Sequence, residues 1–192
     1  VNWPFGRYQP LQYGLILADP PWSFKNFSAK GHRKGAHHHY TCMSASDLDA
    51  LPVGHLAAPD CLLIMWATWP MLLTAILTMR CWGFTYKTGG VWSKLSKTGT
   101  KQAFGTGYVL RSACEPFLLG TIGTPKYCSR SVRNIISAPV RDHSRKPAEM
   151  RIMARKMLPD VRAIELFGRE PWDGCDVWGN ETAKFGGTDG TR

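Results

Sequence analysis

The segment Tyr13-Gly14-Leu15-Ile16-Leu17-Ala18 is a continuous apolar run of strand length, and it stops at Asp19-Pro20-Pro21-Trp22. A strand buried on both faces reads as such a run, whereas a half-exposed strand alternates. Two successive prolines cannot donate ladder hydrogen bonds, so the strand ends there. The chain is therefore built around a central parallel strand with a carboxylate at its carboxyl end. In open α/β sheets that is the end beyond which ligands bind.

The rest of the chain alternates in the same sense. Ser44-Ala45-Ser46-Asp47 marks a helix start before Leu48 and Leu51, and Cys61 to Ala67 reads as a buried strand followed by a helix whose first turn holds Pro70. The apolar stretch from Cys61 to Leu77 is divided by Pro70, and the part before it is too short to cross a bilayer. Further strands are expected over Phe84 to Lys94, Pro116 to Thr121 and Val161 to Phe167. Pro147 opens a helix with Met150, Met153, Ala154 and Met157 on one side. Alternation of this kind predicts an α/β three-layer sandwich with a mainly parallel central sheet. A chain of 192 residues suits one domain, expected over 1–192 with a glycine-rich tail that frays from about residue 183.

Asp19-Pro20-Pro21-Trp22 fits one kind of chemistry closely. The exocyclic amine of adenine is a poor nucleophile, because its lone pair is delocalised into the ring. An enzyme that uses it must accept hydrogen bonds from its protons and hold it in line with a donor. Asp19 supplies an acceptor, and the two prolines fix a backbone carbonyl that points outward rather than into a ladder. Trp22 is expected to offer a flat face to an unstacked base, a contact worth about 1–3 kcal/mol. Pre-positioning supplies much of the rest, and no general base is needed, since the amine can lose its proton after the methyl arrives. The plainer reading is a strand-ending turn with a buried aromatic.

Beyond the tetrad, the residues resemble the MT-A70 family of adenine methyltransferases, particularly its short bacterial and phage members. The resemblance is carried in order by Ala18-Asp19-Pro20-Pro21-Trp22, Tyr40-Thr41-Cys42-Met43-Ser44, Trp82-Gly83-Phe84, Val91-Trp92-Ser93-Lys94 and Gly105-Thr106-Gly107-Tyr108. It continues through Glu115-Pro116-Phe117-Leu118-Leu119-Gly120, His143-Ser144-Arg145-Lys146-Pro147, Glu165-Leu166-Phe167-Gly168-Arg169 and Trp178-Gly179-Asn180-Glu181. It implies a Rossmann-like fold with the catalytic motif before the main cofactor-binding strand, and S-adenosylmethionine as cofactor without a metal. It also implies that Asp19, Lys146, Arg169, Asn180 and Glu181 lie beside that cofactor, with Lys146 at its carboxylate end and Asn180 and Glu181 at its ribose hydroxyls. Trp22, Tyr40, Trp92 and Lys94 fall on the substrate side. Without the resemblance, Lys146 reads as a solvated residue at a helix start and Glu181 as an ordinary tail charge. The chain departs from the family pattern at Val109, where relatives carry an aromatic, at Ser112, where they carry Asn, and over Pro171 to Asp176.

The formal charge of +10 draws polyanions, and nucleic acid is the expected partner, DNA before RNA; it also fits a basic protein whose lysines serve solubility. The six cysteines are scattered without metal-site spacing, and no leader opens the sequence, so a cytoplasmic protein with reduced thiols and no membrane association is expected. His37-His38-His39 reads as a solvated loop rather than a metal site. Homo- and hetero-oligomers are both left open. The expected function is methylation of the 6-amino group of adenine in DNA, the alternatives being the same reaction on RNA and a non-catalytic nucleic-acid-binding subunit. A dehydrogenase is excluded by the lack of a glycine fingerprint after a strand.

Overall fold

The structure, a computed structural model, describes residues 3–23, 43–141, 145–182 and 184. Its frame is a seven-stranded sheet made of β1 (Tyr13–Ala18), β2 (Ala57–Trp66), β3 (Thr85–Leu95), β4 (Cys114–Ile122), β5 (Ile135–Pro139), β6 (Ala163–Leu166) and β7 (Cys175–Trp178). The order across the sheet is β5-β3-β4-β2-β1-β6-β7, and every strand runs the same way except β4, which is antiparallel to β2 and β3. β1 lies between two parallel neighbours and is buried along its whole length, as its unbroken apolar run requires.

Alternate residues of β1 feed two hydrophobic clusters, one on each face. Ile16 and Ala18 join Leu63, Met65, Met79 and Trp82 on the face covered by α1 (Ala45–Asp49) and α2 (Leu72–Cys81). Leu15 and Leu17 join Leu62, Ile64, Met150, Ala154 and Met157 on the face covered by α3 (Glu149–Met157). The result is the expected three-layer, mainly parallel α/β arrangement, with few helices. Among the described residues no helix is long and apolar enough to cross a membrane.

Local chemistry accounts for the boundaries. The Ser44 hydroxyl caps α1 by accepting from the Asp47 amide at 3.1 Å and donates to the Asp47 carboxylate at 2.7 Å. Pro70 sits in a short 3₁₀ turn, Trp69–Met71, that leads into α2. α2 stops at Gly83, where φ is +86°. There the Phe84 amide reaches the Met79 carbonyl at 3.1 Å and the Gly83 amide reaches Arg80 at 2.9 Å. This is a Schellman turn, and it swings the chain directly into β3.

Two short edge strands, β5 and β7, were not expected from the sequence, and β2 begins four residues earlier than its apolar run, because Ala57, Ala58, Pro59 and Asp60 continue the strand beyond the buried segment. The described cysteines Cys61, Cys81, Cys114, Cys128 and Cys175 are free thiols.

A Cβ at residue 83 meets nothing closer than Ile122 at 4.0 Å, so a substitution there isolates backbone strain from packing. Gly83→Ala is expected to lower stability by about 1–2 kcal/mol through the left-handed conformation alone. A urea melt that matches the parent would contradict this.

Candidate active site

The register of the sheet decides which residues meet. Ala18 pairs with Met65 on one side and Leu166 on the other, and Leu166 pairs with Trp178. The residues that follow these positions, Asp19, Trp66, Phe167 and Gly179, therefore leave the sheet along one carboxyl edge. Because β4 runs the other way, it starts at this same edge, and Glu115 arrives there opposite Trp92. Lys146 comes from the connection between β5 and α3.

At the centre of the edge the Lys146 ammonium lies 2.8 Å from Asp19 Oδ1, 3.0 Å from Asp19 Oδ2 and 2.9 Å from Glu115 Oε1. Lys94 closes the chain of charges at 2.9 Å from Glu115 Oε2. Burial pushes the Glu115 carboxyl up, but Lys146 and Lys94 outweigh it and hold the group down at about 2. Burial pulls the Lys146 ammonium down, and Asp19 and Glu115 overcome that and raise it above the usual lysine range. Trp66 lies under the Lys146 ammonium with its ring centroid 5.5 Å away, and Trp92 lies 5.1 Å from the Lys94 ammonium.

The tetrad itself is firmly held. The Asp19 amide donates to the Leu166 carbonyl at 3.2 Å, Trp22 N–H to the Pro20 carbonyl at 2.8 Å, and Met43 N–H to the Pro21 carbonyl at 3.1 Å. Each proline carbonyl thus has one lone pair engaged and one to spare.

Beside Asp19 opens a cleft. Its apolar wall includes Leu17, Met150 and Phe167, and its polar wall Arg145, Lys146, Arg151, Glu165, Arg169 and Glu170. Burial pushes the Glu165 carboxyl up, against the pull of Arg151 and of the Trp172 indole N–H, which donates to it at 2.6 Å. Glu170 is buried and receives Arg151 at 2.8 Å, Arg141 at 3.4 Å and, closer still, Arg145.

The structure brings Asp19, Lys146 and Arg169 to one cleft and joins Lys94 to it through Glu115. Asn180 and Glu181 follow β7 at the same edge but do not line this cleft; Asn180 is exposed, and Glu181 pairs with Lys184 at 2.6 Å. Two strand spacings separate β7 from β1, about 10 Å.

Two expectations change. Trp22 is only 4% exposed, and its indole N–H donates to the Trp66 carbonyl at 3.0 Å, so it braces the tetrad from within the core instead of presenting an open face. Trp92 is 3% exposed and donates to the Ala138 carbonyl at 2.9 Å, so it too is wall rather than surface. Tyr40 and His37-His38-His39 lie outside the described residues. Sequence reasoning gave no role to Glu115 or Glu170. Glu115 carried a signal, an acid immediately before a proline at a strand entrance, while Glu170 carried none.

The donor set suits a cofactor that combines an amino-acid end with a sulfonium. Arg145, Lys146 and Arg169 are cations for a carboxylate, Asp19 is an anion for positive charge, and Leu17, Met150 and Phe167 are apolar surface for the remainder. A mainly parallel sheet with such a cleft at its carboxyl edge is a Rossmann-like arrangement. The MT-A70 family model matches residues 13–181, and the chain belongs to the MT-A70 family.

Among relatives, the chain is 33% identical to the Type II methyltransferase M.MunI of Mycoplasma sp, over 92% of this chain and 81% of that protein. It is 29% identical to an N(6)-adenosine-methyltransferase MT-A70-like protein of Arabidopsis thaliana, over 82% of this chain and 22% of the relative. It is 26% identical to the human N(6)-adenine-specific methyltransferase METTL4, over 90% of this chain and 38% of that protein.

Glu115 yields a pH test with a defined sign. A carboxyl whose folded value is lowered contributes stability above its unfolded value, near 4.5, and loses it as pH falls toward about 2. Glu115→Gln is therefore expected to lower stability at pH 7 by about 1–3 kcal/mol. The gap to the parent should narrow steadily below about pH 4.5. Denaturant melts of both proteins from pH 7 to pH 3 measure it, and a gap independent of pH would contradict the assignment.

Proposed function

We propose that the protein is an S-adenosylmethionine-dependent methyltransferase that methylates the 6-amino group of adenine in DNA, with Asp19-Pro20-Pro21-Trp22 as its catalytic centre. The observation that carries this reading is a carboxylate, Asp19, fixed at the carboxyl end of the central strand and held by Lys146 at the mouth of a cleft that mixes charge and apolar surface. The DNA reading is supported by the relative matched over most of both chains, which is a type II methyltransferase, while the positive charge of the chain suits a nucleic acid of either kind. The Arabidopsis relative, named for adenosine, is matched over 22% of its length.

The cofactor supplies an electrophilic methyl group on a positively charged sulfur when bound. Asp19 accepts a hydrogen bond from the adenine amine and sets its lone pair toward the incoming methyl. The Pro20 carbonyl, with one lone pair to spare, is the second acceptor. Lys146 has three N–H bonds and directs them at the two Asp19 oxygens and Glu115, which locks the carboxylate in place before substrate arrives. Holding the pair in this way lowers the barrier by orientation rather than by proton transfer. After transfer the amine carries an acidic proton that Asp19 or water can remove. Arg145 and Arg169 would hold the cofactor's carboxylate end, with Lys146 adding its charge there while its N–H bonds stay on Asp19 and Glu115, and Asn180 and Glu181 would hold its ribose hydroxyls. Trp22 positions the tetrad through its bond to Trp66.

Asp19→Asn retains the side-chain shape and leaves Lys146 paired with Glu115. It is expected to lower turnover by about 10²-fold or more while the melting transition stays near that of the parent. The assay is labelled cofactor with matched DNA and RNA, followed by nucleoside mass spectrometry. Near-parental turnover would remove Asp19 from the reaction, and label found only in RNA would move the substrate while leaving the mechanism.

Asn180→Ala is expected to weaken cofactor binding by about tenfold, equivalent to about 1.4 kcal/mol, and to leave nucleic-acid affinity unchanged. Two calorimetric titrations separate these effects, and equal cofactor affinity would take Asn180 out of the site.

A further inference from the structure

The connection between β3 and β4 is a hairpin that reaches out from the active-site edge. It makes two successive turns, the first closed by a bridge between Leu95 and Gln102 and the second by a bridge between Gly105 and Ser112. The Gln102 side chain ties the two arms by donating to the Lys94 carbonyl at 2.6 Å and the Ala113 carbonyl at 3.1 Å. The second turn presents apolar side chains to solvent: Leu110 is 80% exposed and Val109 is fully exposed, with Tyr108 beside them at 43%, and Phe104, just before the bridge, is 70% exposed. Apolar side chains gathered at one exposed point are the signature of a surface that binds something.

Charge identifies the occupant. From Thr85 to Ala113 the sequence carries Lys87, Lys94, Lys97, Lys101 and Arg111 and not one acidic residue. A second copy of this chain would bring the same cations against these, and like charges repel. A polyanion meets the opposite situation, because basic side chains engage phosphates while the apolar tip enters an apolar environment. In nucleic acid that environment is the base stack, which apolar side chains enter as wedges.

Position fits as well. The arm returning from Val109 ends at Glu115, which shares the Lys146 ammonium with Asp19. Six residues of extended chain reach at most about 20 Å, so the tip and the carboxylate can act on the same stretch of a strand. A base in a duplex must leave its stack to reach the Asp19 carboxylate, whose side chain is only 21% exposed. Trp22 is buried and offers no open face to a vacated or extruded base.

We propose that the hairpin tip, Phe104 with Tyr108, Val109 and Leu110, is a strand-opening wedge for duplex DNA. The tip enters the stack beside the target base, while Lys97, Lys101 and Arg111 hold the flanking phosphates. This inference rests on the nucleic-acid substrate of the preceding section.

The test uses Val109→Ser/Leu110→Ser, two positions exposed enough for the fold to survive, as a melting curve will verify. Random-sequence duplex DNA is saturated with protein and probed with permanganate, which reacts with unstacked thymines and requires no methylation. The parent is expected to make thymines reactive and the double variant to leave them protected. In parallel, methyl transfer to native DNA should fall by about tenfold or more in the variant, while transfer to the same DNA after heat denaturation stays within about twofold. Protected thymines with the parent protein, or equal reactivity and equal native-DNA transfer in both proteins, would overturn the wedge. A parent dimer that the double substitution converts to monomer would also overturn it and make the tip a self-contact. Failure of the parent to methylate adenine in either DNA form counts against the catalytic reading instead, and the permanganate result still decides the wedge.

Discussion

One ammonium group holds this active site together. Lys146 meets Asp19 from β1 and Glu115 from β4, and it arrives on the connection between β5 and α3, so three distant stretches of chain converge on a single charge. The convergence depends on the reversal of β4. Were β4 parallel to its neighbours, Glu115, one residue from its start, would lie about a strand length away at the opposite edge, roughly 25–30 Å for a nine-residue strand. A partly buried ion pair of this kind adds little net stability, because desolvation offsets attraction, but removing one partner leaves the others uncompensated. Its structural effect is to fix where a carboxylate points.

The aromatic residues around this charge make sense as walls. Trp66 packs edge-to-face on Trp92 at 6.3 Å and on Phe117 at 5.5 Å, and each indole lies beside one lysine of the network. Tryptophan joins a large apolar surface to one donor, and in Trp22 and Trp92 that donor is used on a neighbouring backbone carbonyl. The rings therefore exclude water from the ion pairs and brace the strand ends, and neither ring is free to stack on a ligand.

This also explains which parts of the molecule were legible in the sequence. β1 could be read because burial on both faces leaves an unbroken apolar run that ends at two prolines, and α1 and α2 could be read from Ser44 and Pro70. β5 and β7 are edge strands, in which Ile135-Ile136-Ser137-Ala138-Pro139 and Cys175-Asp176-Val177-Trp178 mix polar and apolar residues too briefly to stand out. Asp19 was legible because its place at a strand end and its chemistry point the same way. Trp22 was misread because the sequence names a ring without saying on which side of the tetrad it lies, and here that side is the core. Glu170 was invisible for a related reason: its partners Arg141, Arg145 and Arg151 come from two other segments, and only the fold brings their guanidinium groups to one carboxylate.

The distribution of charge shows how the two ends of the site differ. Along the cleft, Arg145, Lys146, Arg151 and Arg169 face Asp19, Glu165 and Glu170, so cations and anions nearly balance. Balance suits a pocket for a compact ligand that carries both signs, because an unpaired charge at that depth is costly. Along the hairpin, 29 residues from Thr85 to Ala113 carry five cations and no anion, and Lys94 pairs with Glu115. Half of the formal net charge of +10 thus falls in this one segment, while the charges nearly cancel along the cleft. Phosphate attraction screened by salt can then bring a strand to the edge without perturbing the Asp19 carboxylate, which stays under the control of Lys146.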